Sequence, residues 1–359
     1  MTAYTDASLR AAIVALSEPT TAERAILFLA EAQEAAIPHL IQVFYRYENE
    51  ADYEASPLAF DFAEEAFVRL GSIAVMPLVQ LLEASHWGAV TGATFCLGEL
   101  GDVRAIQPLI EQLEHPDLER VWETARALTK FDAVVHRPLI HALKQEGHDQ
   151  QAAFSALILA RLKASDAIPA LSDVLADPLR ASTIRQASAS ALGEFQDARA
   201  VEPLIAQLSD DDPAVKEACV RALGTLGGSF LTARLIQHLE KMLTDADWGV
   251  HQSAAEMLIR LGTPLREKAR QVLVADLSHE EALIRLGAAL SLLPTYESDA
   301  LETLIALLNE PNPDLLIHVI EGLATSADPR VEPALMALKN HQDEKIQKAV
   351  EAALSRKAN

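Results

Sequence analysis

The chain has 359 residues, of which half are apolar although only 5% are aromatic. Its 52 acidic and 30 basic residues give a net charge of −22 at pH 7. Such an acidic surface repels the phosphates of nucleic acids and of anionic membranes, so we expect neither as a partner and expect a protein partner instead.

Neither a membrane span nor a secretory signal is predicted. The longest apolar runs fall short of the roughly 20 residues that a membrane helix needs. The chain begins Met1-Thr-Ala-Tyr-Thr-Asp6, which lacks the basic start and apolar stretch of a signal peptide. The two cysteines, Cys96 and Cys219, lie inside helical patterns, and no disulfide framework is indicated. We therefore expect a cytoplasmic protein.

A helical leader opens the chain and a repeat array follows it. The leader is predicted around Ala7–Leu16 and Thr21–Ala32, which makes residues 1–35 an N-terminal helical cap continuous with an array over 36–355. Within the array one phrase returns about every 30 to 35 residues, and such self-similarity predicts stacked supersecondary units. The first residues of the successive phrases are Pro38, Pro77, Pro108, Pro138, Pro169, Pro203, His238, Val272, Thr303 and Pro333.

Each unit reads as two helices joined by a polar turn. Proline suits the first turn of a helix, where its missing N–H would be unpaired anyway. In the clearest unit, Pro203-Leu-Ile begins one helix and the turn Ser209–Pro213 caps the next. Gly227 then supplies the left-handed stop. The pattern predicts an all-α solenoid, a right-handed superhelix of about nine to ten helical hairpins.

Two segments carry a family resemblance. Leu97-Gly-Glu-Leu-Gly-Asp-Val-Arg-Ala-Ile-Gln-Pro-Leu-Ile110 and Leu192-Gly-Glu-Phe-Gln-Asp-Ala-Arg-Ala-Val-Glu-Pro-Leu-Ile205 share Leu-Gly-x-x-x-Asp-x-Arg-Ala-x-x-Pro-Leu-Ile. This pattern is similar to that of the HEAT-repeat family. It more closely resembles the short HEAT-like units named after the phycobilisome lyases of cyanobacteria. The resemblance covers about residues 36–355 and is specific for fold but weak for function.

The repeat architecture, the acidic surface and the absence of clustered titratable groups favour a non-catalytic scaffold or chaperone whose curved surface binds another protein. The resemblance implies a phycobilisome subunit as one partner and an A-type iron–sulfur carrier as another. The alternative is a bilin lyase, or one lyase subunit, that attaches or removes phycocyanobilin on phycobiliprotein cysteines. The chain shows no P-loop, Gly-x-Ser-x-Gly, Cys-x-x-Cys or His-Glu-x-x-His, so we expect no cofactor and no metal site.

A discontinuous basic line is predicted along the second helices. It consists of Arg185, Lys216, His251 and Arg285, at matching positions of their repeats. One interpretation is a structural ladder in which these side chains pair with acids of adjacent units. The other, under the lyase hypothesis, is that they hold the propionates of a bilin and present the pigment to an acceptor thiol.

The segment Tyr45–Pro57 interrupts the repeat, because the step between the first two phrases lengthens to 39 residues. Insertions in solenoids map to loops on one face, often the binding face. Tyrosines add rigid contact area there, and the acids would select a basic partner patch. The other interpretation is a solvated loop. The candidate partner-binding residues are Tyr45, Tyr47, Glu48, Glu50, Asp52 and Tyr53.

Two tryptophans occupy equivalent places in their repeats. Trp87 and Trp248 each stand in the turn that opens a second helix, and each is followed by glycine. Tryptophan is enriched at interface hot spots because it buries a large area with few rotors. Both residues are therefore candidates for partner binding, although packing between repeats is the alternative explanation for tryptophan at this position.

Overall fold

The computed structural model describes residues 4–227, 232–295 and 298–358, so the first three residues of the predicted cap lie outside it. These residues form α-helices and short 3-10 turns and no strand, which confirms the predicted all-α class. The α-helices are Asp6–Ala15 (α1), Pro19–Glu31 (α2), Ile37–Phe44 (α3), Glu50–Ala55 (α4), Leu58–Leu70 (α5), Val75–Leu81 (α6), Trp87–Leu100 (α7), Ile106–Glu111 (α8), Leu118–Leu128 (α9), His136–Lys144 (α10), Asp149–Arg161 (α11), Ile168–Ala176 (α12), Ser182–Glu194 (α13), Val201–Ala206 (α14), Pro213–Leu226 (α15), Ala233–Met242 (α16), Trp248–Arg260 (α17), Arg266–Asp276 (α18), Ala282–Leu292 (α19), Ser298–Leu307 (α20), Pro313–Ala324 (α21), Val331–Met336 (α22) and Glu344–Ala358 (α23).

The helices pair into hairpins within two compact units, Met1–Ala200 and Val201–Asn359. In the first unit the hairpins are α3 with α5, α6 with α7, α8 with α9, α10 with α11, and α12 with α13; in the second they run from α14 with α15 to α22 with α23. All ten phrase residues lie in the first helix of a hairpin, as Pro38 does in α3 and Pro333 in α22. The predicted number of about nine to ten hairpins is confirmed.

The repeated phrase builds the core of each hairpin. In the α8–α9 hairpin the phrase places Leu109, Ile110 and Leu113 in the interior, and Val121 and Leu128 of the second helix meet them there. Aliphatic side chains of this size stabilise a fold mainly through the apolar area that they remove from water. Aliphatic packing of this kind explains how a chain with few aromatic residues forms an interior.

The hairpins of the first unit stack in two layers. The first helices α8, α10 and α12 contact one another in order, and so do the second helices α5, α7, α9, α11 and α13. The leader continues both layers, since α1 packs on α3 and α2 packs on α5. We call the row from α5 to α13 the second-helix layer, because it carries the candidate site.

Side chains near the start of three successive second helices bind the preceding repeat. Each is a long donor that reaches backbone carbonyls at the end of the previous repeat's first helix, which are groups that a helix leaves unpaired. The donors and the carbonyls that they bind are Arg120 with Leu82 and Ala84, Gln150 with Leu113 and His115, and Arg180 with Leu143 and Gln145. These bonds fix the register of one hairpin on the next.

The Asp-x-Arg step of the repeated pattern has a structural role. The Asp102 carboxylate accepts from the backbone N–H of Arg104 at 3.0 Å and from its guanidinium at 2.8 to 2.9 Å. The pKa of Asp102 is lowered to about 2, mainly by the side-chain hydrogen bonds from Arg104 and to a smaller extent by the backbone hydrogen bond. Arg104 also donates to the Ser72 carbonyl of the preceding repeat at 2.8 Å. Asp197 and Arg199 repeat the same clamp.

Candidate functional site

A groove of about 820 Å³ lies in the first unit, on the second-helix layer. Side chains of α5, α7 and α9 line it, together with the inserted segment before α5. We call it the acidic groove, and we define it by Glu50 and Tyr53 of the insert, Phe60 and Glu64 of α5, Trp87 of α7 and Glu123 of α9. Two features that the sequence suggested separately, the insert and Trp87, thus meet at one site.

The insert is folded rather than a simple loop. It contains the short helix α4, which Asn49 caps by accepting from the Asp52 N–H at 3.1 Å. Asp52 in turn accepts from the Glu48 N–H at 3.0 Å. Tyr47 is buried, and its hydroxyl donates to the Ser56 carbonyl at 2.9 Å. Of the predicted binding residues, Tyr47 and Asp52 therefore shape the insert.

The remaining predicted residues of the insert differ in position. Glu48, Glu50 and Tyr53 line the acidic groove. Tyr45 is 39% exposed and packs on the ring of His86, whose centroid is 4.7 Å away. His86 itself lines the groove, so Tyr45 supports the site from behind a lining residue.

Aromatic side chains form one wall of the groove. The ring of Trp87 lies 6.3 Å from the rings of both Tyr53 and Phe60, and the latter two meet edge to face at 5.5 Å. The Tyr53 hydroxyl donates to Asp61 Oδ1 at 3.0 Å, which fixes the ring on α5. Phe95, eight residues after Trp87 in α7, adds a fourth ring to the lining.

Gly88 brings the insert against the start of α7. Its N–H donates to the Tyr47 carbonyl at 3.2 Å. A Cβ at this position would stand 2.3 Å from the Phe44 carbonyl oxygen and 2.7 Å from that of Tyr47, which no side chain could tolerate without backbone movement. Glycine after Trp87 is thus required for the close approach that places the tryptophan beside the insert.

The groove carries far more negative than positive charge. Seven acids and two arginines are among its described lining residues. Arg126 forms an ion pair with Glu123, and Arg120 is directed at the carbonyls of Leu82 and Ala84. Burial lowers the pKa of Arg120, while the charges of Glu83 and Asp117 oppose that effect. The acids in the lining are Glu48, Glu50, Glu64, Glu83, Asp117, Glu119 and Glu123.

Glu64 has the most perturbed carboxyl group of the site. Burial in α5 is the main cause that raises its pKa from the ordinary 4.5 to about 8, and the negative charge of Asp61 adds to the rise. Lys130 and Arg126 act in the opposite direction without cancelling the effect of burial. At neutral pH the group is therefore mostly protonated. The sequence pattern did not single out Glu64, because helix periodicity alone does not show which acid of α5 is covered.

Lys216, His251 and Arg285 of the predicted basic line each have an acidic partner. In the second unit, Lys216 Nζ lies 2.6 Å from Asp245, and His251 Nε2 lies 2.9 Å from Asp276. Arg285 reaches Glu310 at 2.7 Å, and in all three pairs the acid belongs to the following repeat. Burial of Asp245 is the largest single influence and opposes its ionisation. The hydrogen bonds from Lys216 and the Asp247 N–H, together with the charges of Lys216 and His251, outweigh it, and the pKa of Asp245 is lowered. Arg185, in the first unit, is buried, with only 8% of its surface exposed.

The two other tryptophans occupy different settings. Trp248 is 39% exposed at the start of α17, and its ring lies 3.6 Å from the position of a Cβ on Gly287 of α19. Trp122, which the sequence reasoning missed, is 52% exposed on α9 and meets Phe154 edge to face at 5.1 Å. It follows the buried Val121, so its position off the apolar stripe could have indicated an exposed ring.

Two features are absent from the described ranges. No three or more histidine, cysteine, aspartate or glutamate side chains there form a group that could hold a metal ion. No helix in those ranges is long and apolar enough to cross a membrane.

Known proteins share both the repeats and the architecture. The family description "HEAT repeats" matches residues 136–224, 179–260, 201–293 and 236–314, and "PBS lyase HEAT-like repeat" matches residues 91–115. A relative named uncharacterized phycocyanin operon protein Z, from Pseudanabaena tenuis, is 24% identical over 173 residues, covering 46% of this chain and 83% of its own.

Among solved structures, a mutant of Kap121p aligns with 98% of this chain and 46% of its own, at 16% identity and a TM-score of 0.55. The complex of CpcE and CpcF of phycocyanin lyase from Nostoc sp. PCC7120 aligns with 70% of this chain and 93% of that chain, at 21% identity and a TM-score of 0.40. Similarity at this level concerns the fold alone.

Proposed function

The chain belongs to the HEAT-repeat family, and from that premise we propose that it is a non-catalytic scaffold or chaperone that binds a protein partner in the acidic groove. The proposed partner is a phycobilisome subunit, and the proposed place of action is the cytoplasm. Repeat proteins of this kind use extended surfaces for binding, because stacked hairpins present a continuous row of helices.

The observation that carries the proposal is the composition of the groove. It combines an aromatic wall at Tyr53, Phe60 and Trp87 with an excess of carboxylates, in a space of about 820 Å³. Tryptophan and tyrosine supply much of the binding energy at protein interfaces, and surrounding charges select the partner and steer its approach. The groove also joins three successive repeats, which gives a bound protein several points of contact.

Two comparisons support the choice of partner. The match to the PBS lyase HEAT-like repeat, residues 91–115, runs from α7 into the turn before α9, and both ends of this segment line the groove. The relative from Pseudanabaena tenuis is named for a phycocyanin operon. An A-type iron–sulfur carrier is the other partner class implied by the sequence resemblance, and it serves as the second protein to be assayed.

The test is a calorimetric titration of the full chain with purified phycocyanin subunits, with and without bound bilin. We expect binding that Trp87→Ala weakens at least tenfold and that Trp248→Ala leaves unchanged. The second variant is a matched control, since both tryptophans begin a second helix and precede a glycine. Absence of binding to any phycocyanin subunit would reject this partner, and binding of the iron–sulfur carrier instead would replace it.

The alternative function is that of a bilin lyase or lyase subunit, and the family description of residues 91–115 is the observation that favours it. Under this alternative, Arg185, Lys216, His251 and Arg285 would hold the pigment's propionates, although three of them are engaged in ion pairs. The probe is free phycocyanobilin. A shift of its visible spectrum on addition of the protein, lost in Lys216→Met and Arg285→Met, would support the lyase; an unchanged spectrum would reject it.

A further inference from the structure

We infer that the acidic groove binds a basic peptide segment of the partner and receives an arginine side chain against Tyr53 and Trp87, behind which the buried Phe60 packs. The inference rests on the proposed function, because it uses the same groove, but it specifies the chemistry of what enters. Charge, ring geometry and the spread of the carboxylates each support it.

The charge of the groove excludes an anionic guest and favours a cation. Neither of the two arginines in the described lining is available to a ligand, because Arg126 pairs with Glu123 and Arg120 binds backbone carbonyls. The carboxylates of Glu48 and Glu50 form no ion pair within the described part of the chain. A guest with positive charge would therefore meet unneutralised carboxylates at the insert.

The rings supply a second attraction for the same guest. A cation within about 6 Å of an aromatic face is attracted by the ring quadrupole, and arginine also stacks on such faces through its planar guanidinium. The chain makes this contact itself nearby, where Lys130 Nζ stands 4.7 Å from the ring centroid of Phe95 while pairing with Glu99. Phe95 is part of the groove lining. A carboxylate next to an aromatic ring, here Glu99 next to Phe95, thus already binds the ammonium group of Lys130 beside the groove.

The spread of the carboxylates indicates a segment rather than a single ion. Glu50 comes from the insert, Glu83 from the turn before α7, and Glu119 from the first turn of α9, so the acids extend over three repeats. In the described part of the chain they do not gather into a group that could hold a metal. An extended peptide with several basic residues would contact them in succession.

The probe is an acetylated hexapeptide in which arginine alternates with glycine, titrated into the full chain at 0.15 M NaCl, where charges farther apart than about 8 Å are screened. The same peptide with citrulline in place of arginine keeps the shape and removes the charge. Trp122→Phe with Trp248→Phe leaves Trp87 as the reporter of fluorescence. We expect the arginine peptide to change the Trp87 emission and to bind at least tenfold more tightly than the citrulline peptide.

Charge-matched variants separate the groove from the acidic surface as a whole. Glu50→Gln with Glu119→Gln should weaken the arginine peptide about tenfold, whereas Glu31→Gln with Glu146→Gln, which removes two exposed acids outside the groove, should leave it unchanged. Trp87→Ala, followed by calorimetry, should also weaken it. Equal binding of the two peptides, or equal losses in the groove and control variants, would overturn the inference.

The outcome also distinguishes this inference from the proposed function. Binding of the arginine peptide that depends on Trp87, without binding of phycocyanin, would reject the proposed partner and support the basic segment. Binding of phycocyanin that depends on Trp87, with no preference for arginine over citrulline, would reject the basic segment and support the proposed function.

Discussion

Replacing Glu64 by glutamine should remove a loss of stability that the first unit undergoes as the pH rises. The carboxyl has a pKa of about 8 in the folded chain, mainly because it is buried, against an ordinary value of 4.5. A carboxyl whose pKa is raised by folding stabilises the fold below its unfolded pKa, and that contribution is lost as the pH rises through the folded pKa. With about 1.4 kcal/mol for each pKa unit, this loss amounts to about 4 kcal/mol between pH 5 and pH 9.

Glutamine has nearly the same shape and cannot ionise, so Glu64→Gln should be as stable as the parent at pH 5 and clearly more stable at pH 9. The assay is urea denaturation followed by tryptophan fluorescence in a Trp248→Phe background, in which both remaining tryptophans, Trp87 and Trp122, report on the first unit. Glu65→Gln is the control, because its carboxylate is 44% exposed and pairs with Arg69.

The reasoning would be refuted by either of two results. A difference between Glu64→Gln and the parent that is the same at pH 5 and pH 9 would mean that the carboxyl does not titrate between them. A variant less stable than the parent at pH 9 would mean that the charged carboxylate is favoured in the fold. An equal pH-dependent gain in Glu65→Gln would assign the effect to the general negative charge of α5.

Two further changes test the packing and the ion pairs. Gly88→Ala should destabilise the first unit by about 2 kcal/mol or more, because its Cβ would collide with the Phe44 carbonyl. Gly249→Ala should cost less than about 1 kcal/mol in thermal melts, because its Cβ would meet only side-chain carboxylate oxygens, of Glu217 at 3.0 Å and of Asp247 at 3.2 Å. Lys216→Met should destabilise the second unit by about 1 to 3 kcal/mol at pH 7, since it leaves the largely buried Asp245 without its cation. The ion pair stabilises the fold fully only above the ordinary pKa of Asp245, and this contribution is lost as the pH falls through the lowered pKa of the folded state. The free energies of unfolding of parent and variant should therefore converge in acid. Equal destabilisation at pH 7 and pH 2.5 would contradict this account.

The hairpin array was predictable because its signals are local. A proline in the first turn, two apolar residues after it and a glycine stop specify the clearest hairpins within about 30 residues of sequence. Even where the proline is replaced, as at His238 and Thr303, the spacing still located the first helix correctly. The same local reasoning did not reveal α4, since Glu50–Ala55 is a short polar helix with no buried residue to create a pattern.

The groove was less predictable because it depends on distances between repeats. Trp87 and the insert were each identified from sequence, but nothing local indicated that Gly88 brings them together by allowing backbone contact with Phe44. Glu64 was not predicted from the sequence, since its pKa depends on how far the fold covers it and on charges such as those of Arg126 and Lys130, more than 60 residues away in the chain. Sequence patterns describe each hairpin, whereas the site is formed by the register between hairpins.

The bonds that Arg120, Gln150 and Arg180 make to the preceding repeat also constrain how such a chain can change in length. The three donors stand at intervals of 30 residues, and each binds carbonyls of the same helix end one hairpin earlier. Loss or duplication of one such interval would leave every donor with an equivalent set of acceptors. A change of any other size would leave a donor and two carbonyls unmatched, so in this stretch evolution can add or remove sequence most readily in whole repeats.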